Sequence, residues 1–146
     1  MALEPKDSNF VEKVRDSFAR QPAMAFIGAE LIKVEAGAVD IKLPYRPDLT
    51  QQNGFLHAGM TAAIVDSACG YAAFSLMPAQ TEVLTAEFKI NLLSPALGEY
   101  FLAEGRVLKA GKTLTVARGD VFAVQNNEKK LIATMLSTVV CVRQNS

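Results

Sequence analysis

The spacing of hydrophobic and polar residues divides the chain into helical and strand-like parts. Over residues 8–20, apolar residues recur at helical spacing among charged ones. This pattern predicts a short amphipathic helix with Asp7 or Ser8 as its N-cap. Residues 24–45 alternate in the manner of strands, and Ala36 and Gly37 interrupt them as a turn. This part of the chain is therefore predicted to be a β-hairpin.

Residues 57–75 are the most apolar segment of the chain. A loop rich in proline, asparagine and glycine leads into the segment, and Pro78 closes it. Many of its side chains are small, which predicts a long helix that is buried on nearly every side. Four strand-like stretches follow, with SPALG, KAGK and QNNEKK as the turns between them.

The order of these elements predicts the fold class. Short turns between successive strands favour antiparallel neighbours, because a parallel crossover needs a dozen or more residues. We therefore predict an α+β fold in which a curved antiparallel sheet wraps around one long helix. No repeat, low-complexity segment or linker divides residues 1–146, so they are predicted to form one domain.

Composition excludes several classes of function. Lys plus Arg and Asp plus Glu both number 15, and no clustered basic excess marks a nucleic-acid surface. No apolar run reaches the roughly 18 residues of a membrane span, and the N-terminus is charged where a signal peptide would be apolar. We therefore expect a cytoplasmic protein with neither nucleic acid nor membrane as a partner.

The cysteines and the histidine limit redox and metal chemistry. Cys69 and Cys141 lie in apolar surroundings without CxxC spacing, which predicts buried free thiols. His57 is the one histidine of the chain, so a metal site is not expected.

Asp66 is a lone carboxylate in the apolar helix. At the predicted helix start, Ala58 and Gly59 leave room near the first backbone N–H groups, which favour an anion or oxyanion. Gly54 lets the preceding loop turn tightly. Asp66 follows Gly59 by seven residues, or about 10 Å along the helix axis. Two such helices packed antiparallel in a dimer would bring Asp66 of one chain near the helix start of the other.

The stretch NGFLHAGMTAAIVDSA resembles the signature of hotdog-fold thioesterases of the phenylacetate-degradation type. LTAEFKINLLSPALGE and GRVLKAGKTLTVARGDVFA are similar to that family's third strand with its turn and to a later hairpin. The resemblance covers most of residues 24–143 and leaves 1–23 as an N-terminal helical segment. It implies a central helix wrapped by five or six antiparallel strands, and hydrolysis of acyl-coenzyme A thioesters. It also implies a homodimer or a dimer of dimers with active sites at the subunit interface.

The resemblance assigns the chemistry to the central helix. Asp66 would act as the nucleophile or as the general base for water. The backbone N–H of Gly59, together with that of Ala58, would polarise the thioester carbonyl as an oxyanion hole does. The commonest motif has a glycine where this chain has Ala58, which retains the N–H but leaves less room for the substrate.

Four further residues receive accessory roles from the same resemblance. Either Asn53 or Gln51 would orient the water or the carbonyl, and the sequence leaves the choice between them open. Thr85 would help to position the water, although threonine is also a common strand residue. His57 would fix the loop or touch the thioester region.

The substrate and the alternative function complete the expectations. Lys109, Lys112 and Arg118 are candidates for contacts with the phosphates of coenzyme A, although hairpin-tip lysines are commonly only solvated. No cofactor is implied beyond the coenzyme A of the substrate. Eight Phe and three Tyr suit an aryl or a short- to medium-chain acyl group. The alternative is a non-catalytic hotdog module that binds an acyl ligand as a sensor or carrier, and Asp66 weighs against it.

Overall fold

The computed structural model describes residues 2–145, which form three α-helices and six β-strands. The helices are α1 (Phe10–Ala19), α2 (Pro22–Ile27) and α3 (Ala58–Phe74). The strands are β1 (Glu30–Glu35), β2 (Ala38–Pro44), β3 (Thr81–Leu92), β4 (Tyr100–Ala110), β5 (Leu114–Gln125) and β6 (Glu128–Arg143). The predicted α+β class, with one long helix and an antiparallel sheet, is confirmed.

The N-terminal region contains one helix more than the sequence pattern predicts. The prediction that strand structure begins at Met24 is wrong, because Met24 lies inside α2 and β1 begins only at Glu30. Pro22 occupies the first turn of α2, where a missing N–H leaves no partner unsatisfied. Gly28 ends α2 in the left-handed conformation, with φ of 79°.

Helix α1 confirms the predicted amphipathic helix with a different N-cap. Asn9 occupies the N-cap position rather than Asp7 or Ser8. The side chain of Asp7 instead accepts a hydrogen bond of 2.9 Å from the Asn9 backbone N–H. Val14 is the fully buried residue of α1 and faces the core.

The six strands form one antiparallel sheet in the order β1-β2-β4-β5-β6-β3. Ala36 and Gly37 make the predicted β1–β2 turn, and Gly37 has a positive φ of 75°. Asn126 and Asn127 form a two-residue turn between β5 and β6, both with positive φ, as the twist of a tight hairpin requires. In the described part of the chain β3 pairs only with β6, so it lies at one edge of the sheet.

Helix α3 packs on the inner face of the curved sheet. Two strand glycines lie directly beneath it: a Cβ atom on Gly105 would collide with the backbone of Ala68, and one on Gly119 would collide with the side chain of Val65. This close approach explains why the sheet carries no side chain at these two positions. Inward-facing apolar side chains of the other strands complete the core, among them Ile41, Leu43, Phe101, Val121 and Met135.

The burial of α3 is uneven along its length. Its last seven residues are buried, as predicted, whereas Ala58 and Gly59 at its start are exposed and Asp66 is only partly buried. The neighbouring edge strand β3 also exposes large apolar side chains, with Leu84 60%, Phe88 43% and Leu92 57% exposed. One side of this single chain is therefore open and apolar. Within residues 2–145, no helix is long and apolar enough to cross a membrane.

Candidate active site

The carboxylate of Asp66 on α3 is hydrogen-bonded to a neighbouring strand. The hydroxyl of Thr85 donates to Asp66 Oδ1 across 2.7 Å. Thr85 pairs with Val139 of β6, immediately before a β-bulge in β3, and this register places its side chain on the inner face of the sheet. Thr85 and Asp66, which are 19 positions apart in the sequence, are thus brought into direct contact.

Burial and hydrogen bonding shift the pKa of Asp66 in opposite directions. Partial removal from water raises the pKa of the Asp66 carboxyl, and the hydrogen bond from Thr85 opposes this by favouring the ionised form. None of the ion pairs among residues 2–145 includes Asp66. Its charge is therefore stabilised mainly by one hydroxyl and by solvent.

Asp66 and Thr85 open into a cavity of about 350 Å³, which we call the Asp66 cavity. Its walls come from the α1–α2 region, the second half of α3 and the beginning of β3. The other lining residues are Ser17, Arg20, Gln21, Pro22, Ser67, Gly70, Tyr71, Glu82 and Val83.

The start of α3 carries the second group of predicted residues. His57 is the N-cap, and its ring Nδ1 accepts the Gly59 N–H at 2.8 Å. The His57 carbonyl accepts the N–H groups of Met60 (2.9 Å) and Thr61 (3.2 Å). Across residues 2–145, the Ala58 N–H has no hydrogen-bond acceptor. The Ala58 N–H is thus the donor available to a ligand at the helix start. The Gly59 N–H already donates to His57, a contact that the sequence did not predict.

A second cavity of about 420 Å³ lies at this helix start. Gln51, Ala58 and Thr61 contribute polar or backbone groups, and the remaining wall is mostly apolar, with Phe55, Leu56, Leu92, Leu93 and Ile132. Asn53 does not line this cavity: it is exposed, and its backbone N–H donates to the side chain of Gln51. Gly54 has φ of 84° in the same turn, which explains the need for glycine there.

The two parts of the site do not meet within one chain. Asp66 follows Ala58 by eight positions on the same helix, or about 12 Å along the axis. The two residues line different cavities: Ala58 lines the cavity at the start of α3, and Asp66 lines the Asp66 cavity. One chain therefore presents two half-sites.

The basic residues predicted to meet phosphates all lie on the β4–β5 hairpin. Lys109 is exposed near the end of β4, and Lys112 lies at the β4–β5 turn beside a cavity of about 190 Å³ that Cys141 also lines. Arg118 lies on the outer face of β5, where its Nε is 3.2 Å from Asp120 Oδ1. None of the three lines either half-site, so their contact with phosphates stays a prediction.

The structure gives the two cysteines different environments. Both are free, but only Cys69 is fully buried, while Cys141 is partly exposed. Burial raises the pKa of Cys69 to about 12, so this thiol stays protonated and unreactive. Within residues 2–145, no three His, Cys, Asp or Glu side chains cluster in a way that could hold a metal ion.

Sequence reasoning missed the far wall of the Asp66 cavity. The sequence assigns no role to Ser17 and Gln21, and it leaves open whether Tyr71 belongs to the core, to an interface or to an acyl pocket. A signal was nevertheless present in Gly70, a glycine in the middle of a helix and one turn after Asp66. Glycine lowers helix stability by about 1 kcal/mol relative to alanine, so its presence there calls for a reason.

Comparison with known proteins identifies the family and the fold of the chain. The family model of the thioesterase superfamily matches residues 53–130, which is more than half of the chain. A thioesterase family protein from Silicibacter pomeroyi has 51% sequence identity and a TM-score of 0.90, over 92% of this chain and 98% of that one. A provisionally named esterase of Saccharolobus solfataricus, SSO1253, is 35% identical over 136 residues, covering 93% of this chain and 88% of that protein.

A more distant structure shows the same fold. The Escherichia coli PaaI protein from the phenylacetic acid degradation operon has 16% identity and a TM-score of 0.81, over 94% of this chain and 95% of that one. The central helix, the six-stranded antiparallel sheet and the matched family model agree with one another. The chain belongs to the thioesterase superfamily, and it is a hydrolase with the hotdog fold.

Proposed function

We propose that the protein hydrolyses acyl-coenzyme A thioesters at active sites formed between two copies of the chain. The observation that carries this proposal is the Asp66–Thr85 pair. It places a partly buried carboxylate, held by one hydroxyl, on the open side of a helix that is otherwise largely buried. An acid in this setting adds little to packing and is suited to taking a proton or attacking a carbonyl.

Asp66 serves the reaction in one of two ways. As general base it takes a proton from water while the water oxygen bonds to the carbonyl carbon. As nucleophile its own oxygen bonds to that carbon, and water then hydrolyses the mixed anhydride. In both routes the carbon–sulfur bond breaks, the acyl group leaves as a carboxylic acid, and the coenzyme A sulfur is protonated to the thiol. Water is the one co-substrate, and no cofactor takes part.

The carbonyl oxygen binds at the start of α3. Ala58 supplies the donor, because its N–H has no acceptor within residues 2–145, whereas the Gly59 N–H donates to His57. The dipole of α3 adds to the stabilisation of the negative charge that develops on the oxygen. His57 acts as the N-cap that holds this turn in place. Gln51 is the active-site amide in this proposal, since it lines the cavity of Ala58 and Asn53 does not.

A second copy completes the site. Because Asp66 and Ala58 lie about 12 Å apart on one helix, the thioester needs Ala58 of one chain and Asp66 of the other. The open edge strand β3 supports a homodimer, since it combines unpaired backbone groups with exposed Leu84, Phe88 and Leu92. The outer face of the sheet also exposes Leu114 and Leu136, which supports a further pairing into a dimer of dimers.

The same proposal covers the substrate and its surroundings. An acyl-coenzyme A of aryl or short to medium chain length is favoured by the fold shared with PaaI, a protein of the phenylacetic acid degradation operon. Lys109, Lys112 and Arg118 are the proposed contacts for coenzyme A phosphates, across the assembled subunits. A cytoplasmic location, where acyl-coenzyme A is found, belongs to the proposal as well.

Release of free thiol from a panel of acyl-coenzyme A thioesters tests this function. Wild type, Asp66→Asn and Asp120→Asn are compared on short, medium, long and aryl thioesters. Asp120 is the matched control, because it also accepts a threonine hydroxyl, that of Thr134 at 2.6 Å, but on the outer face of the sheet. We expect Asp66→Asn to lower kcat by at least ~10²-fold, the usual contribution of a general base.

Each outcome of this comparison decides between functions. Loss of turnover in Asp66→Asn but not in Asp120→Asn, with an unchanged oligomeric state, supports the proposed catalytic role of Asp66. Retention of most activity in Asp66→Asn contradicts it. Absence of turnover in wild type, together with tight binding of acyl-coenzyme A, would instead identify a non-catalytic acyl-binding module.

A further inference from the structure

The cavity at the start of α3 contains a hydroxyl group to which the proposed reaction assigns no role. Thr61 lines this cavity together with Ala58 and Gln51. Only 2% of Thr61 is exposed, and its hydroxyl takes part in none of the side-chain hydrogen bonds of residues 2–145. A buried hydroxyl without a partner destabilises a folded protein, so its presence here calls for a reason.

The Thr61 oxygen borders open space rather than being sealed in the core. Within residues 2–145, Ser137 Oγ is the enclosed side-chain atom that lacks a hydrogen-bond partner. Thr61 Oγ1 also lacks a partner but is not enclosed in this way, which agrees with the place of Thr61 in the cavity wall. A ligand in the cavity can therefore reach the Thr61 hydroxyl, whereas Ser137 lines neither half-site.

The backbone of α3 does not take up the hydroxyl proton of Thr61. A helical threonine commonly donates to the carbonyl four residues earlier in the chain. For Thr61 this carbonyl belongs to His57, and it already accepts the backbone N–H groups of Met60 (2.9 Å) and Thr61 (3.2 Å). A hydroxyl proton can rotate towards whichever acceptor is present. The Thr61 hydroxyl is therefore able to donate to a ligand.

Thr61 lies one helical turn after Ala58 on the same face of α3. It follows Ala58 by three positions, or about 4.5 Å along the helix axis. Helical side chains lean towards the N-terminus of their helix, so that of Thr61 extends over the turn that begins with Ala58. The Ala58 N–H and the Thr61 hydroxyl thus border one cavity from adjacent turns. An oxygen atom bound between them can accept hydrogen bonds from both.

The wall of this cavity supplies neutral donors and no charge. Among the described residues, its polar side chains are those of Gln51, Thr61 and Ser94, and the other lining side chains are apolar. A negative charge that develops on a carbonyl oxygen here meets no cation, so neutral donors have to stabilise it. Apolar surroundings strengthen each such hydrogen bond, because the effective dielectric constant is low. Oxyanion holes generally combine more than one donor, and the Ala58 N–H alone supplies one.

We propose that the hydroxyl of Thr61 is a further oxyanion donor, which donates to the thioester carbonyl oxygen beside the Ala58 N–H. The inference rests on the proposed function, because it adds a catalytic residue to that same site. When water or Asp66 attacks the carbonyl carbon, an electron pair of the carbon–oxygen double bond moves to the oxygen, and both donors stabilise its negative charge. When the carbon–sulfur bond breaks, the double bond forms again. Thr61 keeps its proton throughout.

Thr61→Val tests the assignment, because valine has nearly the same shape as threonine and lacks the hydroxyl. On the acyl-coenzyme A thioester that wild type hydrolyses fastest, we expect kcat to fall by ~10²-fold and KM to change little, since the oxygen becomes charged only in the transition state. Thr61→Ser keeps a hydroxyl and should retain most of the wild-type kcat. Ser137→Ala is the matched control: it removes a buried hydroxyl without a partner that lines neither half-site, and it should leave kcat unchanged.

Thermal unfolding of the same variants separates a catalytic role of Thr61 from a structural one. Removing an unpartnered buried hydroxyl breaks no hydrogen bond, so the Tm of Thr61→Val should equal or exceed that of wild type. A lower kcat with an undiminished Tm supports the inference. A lower Tm in Thr61→Val would show that the hydroxyl stabilises the fold, and it would overturn the inference.

Isotope-edited infrared spectroscopy measures the polarisation of the carbonyl directly. Asp66→Asn should bind the thioester without rapid turnover, and it is compared with the double variant Asp66→Asn/Thr61→Val on a thioester that carries ¹³C at the carbonyl. A hydrogen bond to the carbonyl oxygen weakens the carbon–oxygen double bond and lowers its stretching frequency. We therefore expect a higher frequency in the double variant, and an equal frequency in both proteins would overturn the assignment.

The outcomes distinguish this inference from the proposed function. Wild-type kcat in Thr61→Val would overturn the role of Thr61 and leave the thioesterase function standing. A fall in kcat of the same size in Ser137→Ala would also overturn it, because loss of any buried hydroxyl would then have that effect. No turnover of any thioester by wild type would overturn both the function and the inference.

Discussion

The hydroxyl of Thr85 donates to the carboxylate of Asp66 across 2.7 Å and so joins the edge strand β3 to the central helix α3. The contact has an electrostatic consequence as well as a structural one. It opposes the effect of burial, which on its own raises the pKa of Asp66 further above the ordinary value for aspartate. The carboxylate that the proposed reaction needs is therefore kept ionised in part by Thr85.

Thr85→Val should shift the pH dependence of catalysis. Without the hydroxyl the pKa of Asp66 rises, so a larger fraction of the enzyme is protonated and inactive at low pH. The acidic limb of kcat/KM against pH should therefore move to higher pH. Thr138→Val is the matched control, because Thr138 donates to Glu87 at 3.1 Å on the outer face of the sheet. An acidic limb that does not move in Thr85→Val would show that this hydrogen bond does not tune the catalytic group.

Asp66→Asn should make the protein more stable at neutral pH. A pKa raised by folding means that the folded state favours the protonated acid. Protonated Asp66 therefore contributes fully to the free energy of unfolding below its unfolded pKa of about 3.8. This contribution is lost as the pH rises through the higher pKa of the folded state. Asparagine can still accept the Thr85 hydroxyl and carries no charge. Its Tm should exceed that of wild type at pH 7, and the difference should vanish near pH 3.

A Tm for Asp66→Asn below that of wild type at pH 7 would contradict this view of the site. It would mean that the ionised carboxylate stabilises the fold through contacts beyond Thr85. Thermal unfolding of both proteins across this pH range provides the measurement, with Asp120→Asn as the control for an outer-face aspartate.

Ala58→Pro should remove the proposed oxyanion donor and keep the helix. Proline has no N–H and is well tolerated as the first helical residue. The preceding His57 has φ of −59° and ψ of 136°, an extended conformation that is compatible with a following proline. We expect kcat to fall by ~10²-fold or more, as for other oxyanion-hole donors. Circular dichroism should show an unchanged helix content.

Ala58→Gly is the control for this experiment, since glycine retains the N–H that proline removes. Near wild-type turnover in Ala58→Pro would show that the carbonyl is polarised elsewhere. The Gly59 N–H, released from the ring of His57, would then be the next donor to examine.

Gly105→Ala and Gly70→Ala should change stability in opposite directions. A Cβ atom on Gly105 collides with the backbone of α3 at Ala68, which neither element can relieve without moving, so we expect a loss of ~1–3 kcal/mol or more. A Cβ atom on Gly70 points into open space and improves helix propensity, which should stabilise the protein by ~1 kcal/mol. Urea unfolding of the two variants against wild type measures both effects. Destabilisation by Gly70→Ala would argue that glycine there serves packing rather than the cavity.

Local sequence signals predicted the elements better than their arrangement. The alternation on either side of the Ala36–Gly37 turn and the turns after β4 and β5 were sufficient for the strands, because turn chemistry and side-chain alternation are local properties. The stretch around Met24 was misread as strand, although Pro22 and Gly28 mark the start and the end of a helix. The position of β3 at the sheet edge depends on pairing with β6, which no local pattern encodes.

The candidate site was easiest to locate in the sequence where a residue type is unusual for its surroundings. Asp66 in an apolar helix drew attention from sequence alone, and Gly54 was correctly placed in a tight turn. The partner of the Gly59 N–H was not predictable, because it depends on the rotamer of the His57 ring. The position of the β4–β5 hairpin with Lys109, Lys112 and Arg118 relative to the two half-sites likewise depends on strand pairing, which the sequence around these residues does not encode.

The separation of Ala58 from Asp66 has a genetic consequence. If each active site takes one of these residues from each chain, the two substitutions Ala58→Pro and Asp66→Asn damage opposite halves of it. In a mixed dimer, one site receives both defects and the other receives none. A cell that expresses two alleles, each inactive alone, would then recover hydrolysis. Two alleles that carry the same substitution would not, because every active site would then contain that defect.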